Sequence, residues 1–176
     1  GADARFWRAF QKAIADVRSD FNPEKLREYW LEQAKTFNED SIRYLREIKV
    51  ALKTLVEEKL HIARGDNWLI KGLPRAVYTR AKKEADDQNY DLIAGGVDGP
   101  EVSIWDCVTL AECKDIVTYG KNWSELFEKL LTRPQDSKIS GGKENKTEWI
   151  TKLNSINNKL AKDSYSVSTE EYTFIK

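Results

Sequence analysis

Apolar residues recur along this chain at steps of three and four, the spacing that gathers side chains on one face of an α-helix. Phe6, Trp7, Phe10, Ile14 and Val17 predict an amphipathic helix ending near Asp20. Asn22-Pro23 reads as an N-cap followed by Pro at the first helical position, where a missing N–H costs nothing. The helix it opens carries Leu26, Tyr29, Trp30 and Ala34 on one side. A second start signal, Asn38-Glu39-Asp40-Ser41, predicts a separate helix over 41–64. Leu45, Ile48, Leu52, Leu55 and Ile62 form its inner face, Val56 and Leu60 widen that face, and Gly65 stops the helix.

Trp68, Leu69, Ile70 and Leu73 make an apolar knot, and Pro74 opens a short helix through about Asp86. Residues 87–103 include Gly95, Gly96, Gly99 and Pro100 and read as an irregular loop. A loop of that length in a compact domain marks a functional or partly mobile segment. A few strand residues are expected at most around 102–108, where β-branched and aromatic residues cluster. Thr109-Leu110-Ala111-Glu112 has the spacing of a capping box, and the helix it opens stops at Gly120. Leu126, Phe127, Leu130 and Leu131 predict a short helix halted by Arg133-Pro134, with a polar exposed loop over 135–145. Trp149, Ile150, Leu153, Ile156 and Leu160 define a helix over 146–162. A second capping box, Ser168-Thr169-Glu170-Glu171, opens the last helix. The expected fold class is all-α, a single-domain bundle of six to eight helices. Residues 1–40 read as an N-terminal helical extension to a domain spanning 41–176.

Composition narrows the function classes. The 176 residues carry 29 Lys+Arg against 29 Asp+Glu, so bulk positive charge does not drive nucleic-acid binding, although a local basic patch remains open. Six Trp, seven Tyr and six Phe mark a folded chain. No window approaches the roughly 20 consecutive apolar residues of a membrane span, so no membrane partner is expected. The chain lacks Met and begins Gly1-Ala2, which leads us to expect a segment of a longer protein. Cys107, Cys113 and the single His61 give no zinc spacing. Buried, reduced thiols are expected, with a cytoplasmic location, no metal and no cofactor.

Individual features favour plain structural roles. The segment Gly95-Gly96-Val97-Asp98-Gly99 lacks the Gly-Lys-Ser/Thr ending of a phosphate loop and reads as a flexible connection. His61 sits where an imidazolium would interact favourably with the end of a helix dipole, with no nucleophile at a spacing that implies partnership. Glu84, Asp86, Asp87 and Asp91 do not match a calcium loop and read as a solvated helix end. Trp7, Trp30, Trp68, Trp123 and Trp149 read as core aromatics, and Trp105 is open between core and surface.

The C-terminal third carries a more specific pattern. Trp105-Asp106-Cys107-Val108 leads into the box at Thr109, then Asn122-Trp123, then Leu153-Asn154-Ser155-Ile156-Asn157-Asn158-Lys159-Leu160-Ala161-Lys162-Asp163. With Gly65-Asp66-Asn67-Trp68 and Leu73-Pro74 upstream, residues 42–176 resemble the HEPN superfamily, in particular the helical HEPN domains appended to prokaryotic defence and restriction proteins. Active members carry Arg-x-x-x-x-His on a late helix and cleave RNA without a metal. Here Asn157 and Lys162 stand at the Arg and His positions, with Asn158 and Lys159 fitting the pattern between them. Asn157 supplies neither charge nor a titrating proton, and an ammonium with a pKa of about 10.4 is a poor general base at neutral pH. The resemblance therefore implies a catalytically degenerate module that forms a homodimer or binds a partner domain, with Asn158, Lys159 and Lys162 as candidate RNA contacts. The competing expectation is a metal-independent endoribonuclease with an atypical site built on Asn157, Lys159 and Lys162.

Overall fold

The computed structural model describes residues 9–10, 12–14, 23–136, 142–162 and 165–176, and these contain helices and turns with no strand. One helix organises them. Helix α1 (Pro23–Arg64) has 42 residues, a length of about 63 Å at 1.5 Å per residue. The start expected at Asn38–Ser41 is not a break: the helix runs through it, and so through the expected boundary at residue 40. Extending a formed helix costs far less than nucleating a new one, and the polar residues there have other uses. Asn38 donates from Nδ2 to the Tyr165 carbonyl (2.8 Å) and accepts at Oδ1 from the Val167 amide (2.8 Å). Ser41 is buried inside the helix, its hydroxyl without a hydrogen-bond partner among the described residues.

Beyond Gly65 (φ +62°), which ends α1 in the left-handed region, a short 3₁₀ turn leads to α2 (Trp68–Gly72). Gly72 lets α2 approach α1 closely: a Cβ there would stand 2.9 Å from Leu60 Cδ2, so a larger residue would require the buried Leu60 side chain to shift. Helix α3 (Arg75–Ala94) outruns the expected end at Asp86. The stretch Asp86 to Asp91 is polar because it is mostly solvated helix surface, and the loop begins only at Gly95. Residues 104–107, where a few strand residues were expected, form a turn. Helix α4 (Leu110–Thr118) follows, then one π-helical turn (Trp123–Phe127) continuing into α5 (Glu128–Leu131). Helix α6 (Lys143–Lys146) begins inside the segment expected to be loop, over 135–145, and α7 (Glu148–Leu160) and α8 (Thr169–Ile175) complete the chain.

Cross-links fix the helix directions. Lys53 meets Val108 while Arg64 meets Asn122, so α1 and α4 run the same way. Arg80 meets Glu112 while Asn89 meets Val102, so α3 runs back. Lys143 meets Thr118 while Lys114 meets Glu148, so α7 also runs opposite to α4. The result is an all-α up–down bundle with one core. Leu45, Leu52, Val56 and Leu60 of α1 pack with Val77 and Ala81 of α3, Ile116 and Val117 of α4, Phe127, and Ile150, Leu153 and Ile156 of α7. Ile62, expected on the inner face, is 78% exposed, because the core-facing stripe of α1 ends at Leu60. No helix among the described residues is long and apolar enough to cross a membrane. The expectations resting on Phe6, Trp7, Val17, Asp163, the side chains of Leu26 and Trp30, and the loop at 137–141 lie outside the described residues.

Both expected capping boxes are present. Thr109 Oγ1 accepts from the Glu112 amide and the Glu112 carboxylate accepts from the Thr109 amide, and Ser168 and Glu171 repeat the arrangement. Glu171 also ties α7 to α8: Lys159 Nζ donates to its Oε1 (3.0 Å), and the Tyr165 hydroxyl donates to Oε2. Burial alone would raise this carboxyl, but the donors from Tyr165, the Ser168 amide and Lys159 outweigh it and hold the pKa at about 2. A carboxyl depressed below its unfolded value of about 4.3 contributes stability above that pH and loses it as the pH falls toward the folded value. We therefore expect acid unfolding between about pH 5 and about pH 2 to be less steep in Glu171→Gln than in the parent. Thermal midpoints across that range measure it, and equal slopes would refute the assignment.

Candidate functional site

A cavity of about 330 Å³ opens where α1, α3 and α7 meet the turn before α4. Lys49 of α1, Glu84 and Gln88 of α3, and Asn154, Asn157 and Asn158 of α7 line it, with Val102 and Asp106 to Leu110 as the remaining wall. The α7 contribution follows from helical periodicity. Ile150, Leu153 and Ile156 face the core, which leaves the amides at 154, 157 and 158 at the edge of that face.

The wall turn is held from three sides. Lys53 of α1 donates from Nζ to the carbonyls of Trp105 (2.7 Å), Asp106 (3.1 Å) and Val108 (3.0 Å). Burial holds this ammonium below the ordinary lysine range. Arg80 of α3 donates to both Glu112 oxygens (2.6 and 2.5 Å) and to the Cys107 carbonyl (2.7 Å). Burial would raise the Glu112 carboxyl, but Arg80 and Thr109 outweigh it and hold it below the usual range. Asn89 pairs both ways with the Val102 backbone, at 3.0 and 2.8 Å. Within the turn, the Ser103 hydroxyl and amide donate to Asp106 and hold that carboxyl below its usual range. Trp105 is buried, edge-on to Trp68 with ring centroids 5.3 Å apart, and belongs to the core.

Of the residues singled out by sequence, Asn157 and Asn158 line the cavity, whereas Lys159 and Lys162 do not. Lys159 is engaged by Glu171, which raises its pKa, and sits 5.6 Å from the centre of the Tyr165 ring. Lys162 lies past the end of α7, exposed, its amide donating to the Lys159 carbonyl (3.0 Å). The two positions matching the Arg and His of the motif thus differ in setting, one on the cavity wall and one beyond the helix. His61 is exposed near the end of α1, 6.3 Å from Trp68 between ring centroids, and does not line this cavity. No family model, curated protein or solved structure matches this chain.

The chemistry available at the cavity is hydrogen bonding. Three asparagine amides and one glutamine amide offer both donors and acceptors, Lys49 adds a cation, and Glu84 and Asp106 add carboxylates. Burial pushes the Cys107 thiol up, and the Cys113 thiol behind the wall up to about 11, so both are protonated and unreactive at neutral pH. Both cysteines are buried and unbridged. Among the described residues, no group of three or more His, Cys, Asp or Glu converges to hold a metal ion.

Sequence reasoning missed Lys53, Arg80 and Gln88. Lys53 and Arg80 reach partners 27 to 55 residues away along the chain, and a lone cation beside an apolar stripe looks like solvated surface. Glu112 was visible only as half of a capping box; its second role as the partner of Arg80 has no local signature.

Proposed function

We propose that this chain is a catalytically degenerate HEPN-like module that works by association, through the exposed face of α7, with a second copy of itself or a partner domain of a larger defence protein. The observation that carries this reading is the cavity lining. Asn157 stands there beside Asn154, Asn158 and Gln88, the charged lining residues are Lys49, Glu84 and Asp106 with no imidazole or guanidinium among them, and the other motif position, Lys162, is outside it. Proton transfer to and from a ribose hydroxyl needs a group that titrates near the working pH, typically worth about 10² to 10⁴ in rate. An amide at the charge-stabilising position forfeits a further factor of about 10² to 10³. Asn154, Asn157 and Asn158 suit recognition of a polar surface, and Lys49 and Lys162 leave room for weak, salt-sensitive RNA affinity.

Two measurements test the reading. Light scattering at micromolar concentration is expected to give a dimer that Asn157→Arg or Ser155→Arg weakens. Purified protein is expected to leave structured RNA intact, while an Asn157→Arg, Lys162→His double variant cleaves it. Robust cleavage by the unaltered chain, lost in Lys162→Ala, would establish the endoribonuclease instead. A monomer that binds neither itself nor a partner domain would remove the proposal.

A further inference from the structure

Four consecutive carbonyls of the turn before α4 are committed to side-chain cations. Those of Trp105, Asp106 and Val108 converge on Lys53 Nζ at 2.7, 3.1 and 3.0 Å, and that of Cys107 accepts from Arg80 (2.7 Å). The Val108 amide closes the turn on the Trp105 carbonyl (3.1 Å). The carbonyls of Asp106, Cys107 and Val108 receive no main-chain amide among the described residues. Ser103 braces the same turn, accepting at Oγ from the Asp106 amide (3.1 Å). The oxygens around Nζ are therefore held in place by more than the lysine.

The indole of Trp105 completes the setting. Lys53 Nζ lies over this ring, 5.4 Å from its centroid, in the range where the electron-rich face attracts a cation. Trp105 is itself buried against Trp68. An ammonium has three N–H donors, and Lys53 gives all of them to main-chain carbonyls. It forms no ion pair among the described residues, and Asp106 favours its charge only through space. Neutral oxygens at 2.7–3.1 Å are too distant for magnesium or calcium, which take oxygens at about 2.0–2.1 and about 2.3–2.6 Å. Converging main-chain carbonyls replace the water around potassium in selective pores. We infer that this turn is a receptor for a monovalent cation of ammonium or potassium size, with the Lys53 ammonium as its tethered occupant. The tether sets the wall of the α7 cavity without regard to the salt outside. The inference does not rest on the reading of α7.

The test empties the receptor in the full chain. Lys53 is half-buried, so in Lys53→Ala the vacated point is open to dissolved ions. In lithium chloride the thermal midpoint of Lys53→Ala is expected to lie about 4 °C or more below that of the parent. At equal ionic strength, which holds screening constant, potassium, ammonium and n-propylammonium chlorides should each recover at least half of that gap, and sodium less. The recovery should saturate with concentration, as binding to the folded state requires. Lys53→Met, which keeps an apolar stem in the space, and Leu52→Ala, a neighbouring core variant, should each keep their gap in every salt. A Lys53→Ala chain unfolded in lithium is expected to fold in potassium. The inference is overturned by a gap that is the same in lithium and potassium, by no gap at all, by equal recovery in Lys53→Met or Leu52→Ala, or by a Lys53→Ala chain that folds in none of the salts.

Discussion

Leu52→Ala and Leu153→Ala should each lower the unfolding free energy by about 2–5 kcal/mol, and Phe127→Ala by about 3–5 kcal/mol. Leu52 comes from α1, Leu153 from α7, and Phe127 from the π-helical turn between them, and all three belong to one core. Phe127 is fully buried, so its removal leaves a void in a close-packed core. Denaturant midpoints with unchanged slopes would report the loss as stability rather than a change in the unfolded chain. Because the residues sit in one cooperative unit, Leu52→Ala with Leu153→Ala should depart from additivity if the two sites share a cavity. Midpoints that barely move would mean that α1 and α7 do not share the core.

The helical periods were legible because the core is built from them: Leu45, Leu52, Val56, Leu153 and Ile156 are where period 3.6 puts them. Both capping boxes were legible for the same reason, since all their hydrogen bonds lie within four consecutive residues. What failed was punctuation. Asn38 to Ser41 has the composition of a helix start, yet Asn38 serves a loop more than 120 residues later. Asp86 to Asp91 has the composition of a loop, yet it is the wet side of α3. A local pattern cannot say whether a polar run faces water or caps a helix, because the distant partner decides. The same limit hid the candidate site. Asn157 and Asn158 were visible through a motif, but the turn opposite them is set by Lys53 and Arg80, whose roles exist only once α1 and α3 are side by side.

Asn122 shows how much one such long-range polar contact holds. It is 2% exposed, and its Nδ2 donates to the carbonyls of Gly72 (2.8 Å) and Ile116 (2.9 Å), the ends of α2 and α4. The Gly72 carbonyl is the last of its helix and takes its donor from Asn122, while the Ile116 carbonyl also accepts from the Tyr119 amide (3.2 Å). Asn122→Ala removes both N–H groups and leaves the buried Gly72 carbonyl unpaired, a loss of about 1–3 kcal/mol. Asn122→Asp should be worse near neutrality. An ionised carboxylate has nothing to donate and faces two carbonyl oxygens, and Arg64, 3.5 Å from the Asn122 oxygen, offers only partial compensation. Its protonated form would restore one donor, so the folded pKa of the new carboxyl lies above the unfolded value. A group raised in this way favours the fold at low pH and loses that contribution as the pH rises through its folded pKa. The deficit of Asn122→Asp relative to the parent should therefore shrink as the pH falls from about 8 to about 5, while that of Asn122→Ala stays level. Parallel pH profiles for the two variants would show that the amide is not the joint between α2 and α4.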